Sequence, residues 1–222
     1  MTANLPQDTP ITLTGPAGVL EVALTAGAGT NIEPAPYVAV LCHPHPVHGG
    51  SMNNKVITTL MRAYRDLGIS VVRFNFRGVG KSAGSFDNGV GEVEDVLAVV
   101  AWAQQQFPQA QLLLAGFSFG SAMAAQASYR LQGVQHLLLI APPVERYAYD
   151  HEGHFSCPVA VVIGGADELV KVVGVRDWVT QLQPPASFVE YPEAGHFFHG
   201  YLSQLKNDVS DILCAEFPVL AP

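Results

Sequence analysis

Gln111-Leu112-Leu113-Leu114-Ala115-Gly116-Phe117-Ser118-Phe119-Gly120-Ser121-Ala122-Met123-Ala124-Ala125-Gln126-Ala127 decides the fold. An apolar run, a tight G-x-S-x-G turn and a run of good helix formers predict a strand, a sharp turn and a helix in that order. In that setting the pentapeptide 116–120 reads as a nucleophile elbow. The turn forces Ser118 into a strained backbone conformation, so its hydroxyl stands clear of the chain. Side chains at 116 and 120 would collide with the neighbouring strand and helix, so glycine occupies both positions. The helix that follows aims backbone N–H groups at any anion formed there. The bland alternative is a glycine-rich turn with an incidental serine, and the rest of the chain must choose between the two.

Upstream, Ile11-Thr12-Leu13-Thr14 and Val19-Leu20-Glu21-Val22-Ala23-Leu24 flank Gly15-Pro16-Ala17-Gly18 and predict an antiparallel hairpin. Residues 1–9 read as a lead-in and 27–36 as a Gly/Pro loop. Tyr37-Val38-Ala39-Val40-Leu41-Cys42 is continuously apolar, as a strand buried on both faces of a parallel sheet must be. The stretch His43-Pro44-His45-Pro46-Val47-His48-Gly49-Gly50 reads as irregular. A helix over about 53–67, a strand over 69–76, a polar loop over 77–89 and a helix over about 92–107 follow. Beyond the elbow come a strand at 134–140, a short polar segment, a strand at 158–163, a helix at about 172–182, a strand at 186–191 and a last helix at about 199–216. A hairpin followed by alternating strands and helices implies one α/β domain spanning 1–222, with a mostly parallel sheet covered on both faces.

Composition sets bounds on function. The 222 residues are 49% hydrophobic and 14% charged, which suits a chain with a large core. A net charge of -8 with no Lys/Arg-rich run argues against a nucleic-acid surface. Cys42, Cys157 and Cys214 are odd in number and far apart, so reduced thiols in a cytoplasmic protein are expected. No apolar run approaches the roughly 20 residues of a membrane span, and the N-terminal stretch lacks the pattern of a signal peptide.

A serine hydroxyl is a poor nucleophile near neutral pH and needs a base, oriented by a carboxylate. Asp167, after Gly164-Gly165-Ala166, and His196, after Gly195, both follow predicted strands and complete the order Ser, Asp, His. Glu168 is the substitute for Asp167, and His199 the rival of His196. For an oxyanion, the first N–H donor is that of Phe119. The second must come from the loop after 37–42, where Pro44 and Pro46 have no N–H and leave His45 as the donor. His43, His45 and His48 could be imagined around a metal, but stiffening prolines and the lack of an acidic or cysteine neighbour favour a loop-organising His43. Gly78-Val79-Gly80-Lys81-Ser82 looks like the end of a phosphate loop, yet the glycine required five residues before Gly80 is replaced by Asn75. A loop beside the site, with Arg73 or Arg77 in structural ion pairs, is the expectation. Asp150-His151-Glu152-Gly153-His154 reads as a solvated loop, and Trp102, Trp178 and Cys42 as packing residues.

With these residues in view, the chain resembles the α/β-hydrolase superfamily from about residue 11 to 217, and within it the small bacterial serine hydrolases with an H-P-H-P-x-x-G-G loop. The matching stretches are Cys42-His43-Pro44-His45-Pro46, Phe74 to Ser82, Gly116-Phe117-Ser118-Phe119-Gly120, Gly165-Ala166-Asp167-Glu168 and Gly195-His196-Phe197-Phe198. The resemblance implies an α/β-hydrolase fold and a carboxylesterase-like activity on small or short-chain esters through Ser118, His196 and Asp167, without cofactor or metal. Only about seventeen residues separate Ile140 from Pro158, where relatives with lids insert helices, so no substantial lid is expected. A peptidase or amidase using the same residues, and a non-catalytic interaction module, are the alternatives. Neither the natural ester nor the oligomeric state is legible.

Overall fold

The computed structural model describes residues 8–29, 36–149 and 154–220. The expected lead-in (apart from its last two residues), most of the 27–36 loop, and residues 150–153 of the acidic histidine stretch lie outside them. The hairpin forms as β1 (Thr9–Gly15) and β2 (Gly18–Thr25), paired antiparallel with Gly15 opposite Gly18. The chain continues through β3 (Tyr37–Cys42), α1 (Lys55–Asp66), β4 (Ser70–Phe74), α2 (Val90–Gln106), β5 (Gln111–Phe117) and α3 (Phe119–Ser128). It then adds β6 (Val134–Ile140), β7 (Val159–Gly164), α4 (Val172–Val179), β8 (Ser187–Tyr191) and α5 (Leu202–Glu216). One eight-stranded sheet has the order β1-β2-β4-β3-β5-β6-β7-β8. β2 alone runs against the other strands, antiparallel to β1 on one side and to β4 on the other, and every pairing from β4 to β8 is parallel.

The continuous apolar runs are explained by two cores. Successive side chains of a strand point to opposite faces, so β3 sends Val38, Val40 and Cys42 into one core and Tyr37, Ala39 and Leu41 into the other. α2, α3 and α4 cover the first face; α1 and α5 cover the second. All six residues of β3 are buried. Truncating a buried leucine such as Leu41 or Leu114 to alanine is expected to cost about 2–5 kcal/mol.

Element ends depart from the expected ones for local reasons. α1 starts later, because the Asn54 side chain accepts the Val56 N–H and acts as its N-cap. α5 begins at Leu202 rather than near His199, since Phe198 and Gly200 both adopt positive φ and interrupt the helix. The histidine–proline loop is not wholly irregular: Pro46–His48 make one 3-10 turn, closed by His48 N–H on the His45 carbonyl. Pro46 suits the first position, where no N–H is needed and its fixed φ is already helical. Among the described positions, residues 141–158 contain no helix and no element that lies as a lid over the sheet's carboxyl edge.

The 77–89 loop is knitted to the hairpin. The Glu21 carboxylate accepts from Asn75 Nδ2 and from the Lys81 N–H, both at 2.8 Å. The turn that looked like a phosphate cradle is thus filled by the protein's own anion. The expected ion pairs form: Arg77 makes a two-pronged bond to the buried carboxylate of Asp95, and Arg73 pairs with Asp8. Trp102 and Trp178 pack against the first core, and burial pushes the Cys42 thiol pKa far up.

Candidate active site

Parallel strands bring their carboxyl ends to one edge of the sheet, and the candidate residues all leave that edge. Ser118 follows β5, Asp167 follows β7, His196 follows β8 and His45 follows β3. Strand order, not sequence order, sets their neighbours. β3 lies beside β5, so the His45 loop adjoins Ser118 across 73 residues of chain; β7 lies beside β8, so Asp167 adjoins His196.

The elbow has the expected strain. Ser118 has φ 53° and ψ -121°, a region that costs a residue with a side chain about 1–3 kcal/mol. Its N–H is held by the Ile140 carbonyl at 2.8 Å. A Cβ on Gly116 would lie 2.2 Å from the Gly120 carbonyl oxygen, and one on Gly120 would lie 2.2 Å from that of Cys42. Both positions must therefore be glycine for the helix to begin so close to β3. Below the turn, Ser121 Oγ donates to the Ser118 carbonyl at 2.6 Å and contacts Tyr149 Oη at 2.6 Å. This brace is invisible in sequence, because Tyr149 lies in a segment without periodicity.

Ser118 Oγ lies 3.0 Å from His196 Nε2, and His196 Nδ1 lies 2.8 Å from Asp167 Oδ2. The other oxygen of Asp167 accepts the N–H groups of Leu169 and Val170, each at 2.8 Å. Three donors thus fix a carboxylate whose side chain is fully buried. Glu168 does a different job: its carboxylate accepts the His196 backbone N–H at 3.0 Å. Phe117 packs against the imidazole with ring centroids 5.0 Å apart. His199 is exposed in the turn before α5, its ring 6.0 Å from that of Phe197.

Phe119 is the first residue of α3, so its N–H has no partner within the helix. His45 and Phe119 line the same cleft as Ser118, with their rings 5.0 Å apart. Burial foremost, then the positive charges of His48 and Arg146, hold the His45 imidazole below its ordinary pKa. His43 turns away from the cleft. Its Nε2 accepts the Phe76 N–H at 3.0 Å, which leaves the proton on Nδ1 to donate to the Pro44 carbonyl at 2.6 Å. Burial pushes its pKa down to about 4. Among the described residues no three His, Cys, Asp or Glu side chains are arranged to hold a metal ion.

The cleft encloses about 630 Å³, including space open to solvent. Besides the residues above, Pro143, Arg146, Tyr147, Leu169 and Phe197 line it. Arg146 and Tyr147 come from the segment after β6, where the sequence offers no motif to mark them. No helix among the described residues is long and apolar enough to cross a membrane.

Comparison with known proteins agrees with this architecture. Residues 45–149 match the family model described as serine aminopeptidase, S33. An uncharacterised protein of Rickettsia prowazekii is 38% identical over 208 residues, covering 90% of this chain and 86% of its own. A Xanthomonas campestris α/β serine hydrolase without a lid is 41% identical, with a TM-score of 0.87 over 94% of each chain. An α/β serine hydrolase homologue from Coxiella burnetii is 43% identical, with a TM-score of 0.87 over 96% of this chain and 100% of that one. With identities of this size along nearly its whole length, the chain belongs to the small bacterial α/β serine hydrolases that have no lid.

Proposed function

We propose that the protein is a serine carboxylesterase acting on small or short-chain esters. The observation that carries this reading is the unbroken hydrogen-bonded chain from Asp167 through His196 to Ser118, standing in an open cleft. Ser118 Oγ attacks the ester carbonyl while His196 Nε2 takes its proton. Asp167 holds the imidazole with its proton on Nδ1 and balances the imidazolium. The N–H groups of Phe119 and His45 receive the oxyanion. Collapse of the tetrahedral intermediate expels the alkoxide, which takes the proton from His196 and leaves as the alcohol. Water, deprotonated by the same imidazole, then cleaves the acyl-enzyme and releases the acid. Each step uses only groups of this chain and water.

The family model's description raises aminopeptidase action as a second reading. An aminopeptidase must hold a protonated α-amine, which calls for a carboxylate facing the substrate. Among the described residues lining the cleft there is no aspartate or glutamate, so ester cleavage is favoured. The test is labelling with a fluorophosphonate followed by peptide mapping, then rates on matched ester and amide substrates. Labelling of Ser118 that disappears in Ser118→Ala and His196→Ala, with the ester cleaved far faster, is expected. A folded wild-type protein that takes no label sinks the reading.

A further inference from the structure

Arg146 is the one lining residue of the cleft with a permanent charge among the described positions. Its Nη2 donates to the Leu169 carbonyl at 3.0 Å, on the loop that carries Asp167. None of the described carboxylates forms an ion pair with it. Its sequence neighbour Glu145 is engaged instead with Lys171 at 3.0 Å. A guanidinium offers five N–H donors in a planar fork suited to a carboxylate, and one anchored donor leaves most of that fork unused. The charge bears on the cleft itself: after burial and His48, it helps to hold the His45 imidazole below its ordinary pKa. A cation without an ion pair to any described carboxylate stands here against a net charge of -8 for the chain.

We infer that Arg146 selects esters that carry a carboxylate, such as half-esters of short dicarboxylic acids, by pairing with that group at the mouth of the cleft. This rests on the hydrolase reading above and adds the substrate class to it. The carbonyl of Leu169 fixes one edge of the guanidinium. The edge left over meets the substrate, where a charge-assisted bond is stronger than a neutral one.

The experiment compares kcat/KM for p-nitrophenyl hemiglutarate with that for p-nitrophenyl pentanoate, which is neutral and of similar length. A second pair, the butanoyl ester of glycolic acid against ethyl butanoate, places the charge on the alcohol side. The wild type is expected to favour the anionic member of at least one pair by about tenfold, the worth of one good charge-assisted bond. In Arg146→Met that ratio falls toward one through a raised KM for the anionic ester, Arg146→Lys recovers part of it, and added salt shrinks it. A purely structural Arg146 would lower both esters in proportion and leave the ratio standing, which overturns the inference. Neutral esters cleaved as well as anionic ones by the wild type also overturn it, while leaving the esterase reading intact. Failure of folded wild-type protein to cleave any of the four overturns both.

Discussion

His43 and His196 are both buried imidazoles, 0% and 2% exposed, on loops that leave the same edge of one sheet. They differ in what their nitrogens meet. His43 is held between two backbone groups, the Phe76 N–H and the Pro44 carbonyl. Its accepting nitrogen is already occupied by a donor that cannot leave, so it can take no proton from a substrate or a serine. His196 is held between two side chains, a carboxylate on one nitrogen and a hydroxyl on the other. The hydroxyl can give up its proton along an existing hydrogen bond, and the carboxylate steadies the charge that results. Burial alone therefore says little about the role of a histidine. A backbone partner makes a strut, and side-chain partners of this kind suit the base proposed above.

The comparison breaks if the two histidines respond alike to removal. His196→Ala, like Ser118→Ala, is expected to lower ester hydrolysis by about a thousandfold or more while the thermal midpoint stays near that of the wild type. His43→Ala is expected to act on stability first. It orphans the Phe76 N–H and empties a packed site, at about 3 kcal/mol, read as a lowered urea midpoint. A His196→Ala protein that unfolds as readily as His43→Ala would erase the distinction.

Acid sharpens it. The folded protein holds His43 neutral with a pKa of about 4, against 6.5 for an unhindered imidazole, and burial does the same to His136. The unfolded chain binds more protons between those two values, so stability is full above pH 6.5 and declines as pH falls toward 4. The contribution of each is at most about 3 kcal/mol. Urea midpoints measured across that window should fall less steeply in His43→Ala or His136→Phe than in the wild type. An equal slope in all three would mean that neither imidazole is held neutral by the fold.

The smallest expected effect lies beneath Ser118. Ser121→Ala removes the donor to the Ser118 carbonyl and leaves Tyr149 without its partner. Steady-state kinetics should show kcat reduced several-fold, on the order of 1 kcal/mol, with KM little changed. No change in kcat would assign the brace to folding alone.

What the sequence by itself determined is local. The strand–turn–helix around Ser118, the apolar runs of β3 and β6, and the glycines at 116 and 120 follow from sterics and period within a few residues. The order Ser118, Asp167, His196 was legible because each follows a strand. The proline pattern singled out the His45 N–H, because a missing N–H is written in the residue itself. Only the tertiary structure decided what faces what. Asp167 and Glu168 are adjacent in the chain, and it is the fold that turns one to the imidazole and the other to the backbone of His196. The filling of the Gly78–Ser82 turn by Glu21, the Ser121–Tyr149 brace and the bond from Arg146 to the Leu169 carbonyl share that cause. Each depends on which strands lie side by side, and hydrogen bonds between residues tens of positions apart leave no period or spacing in the sequence.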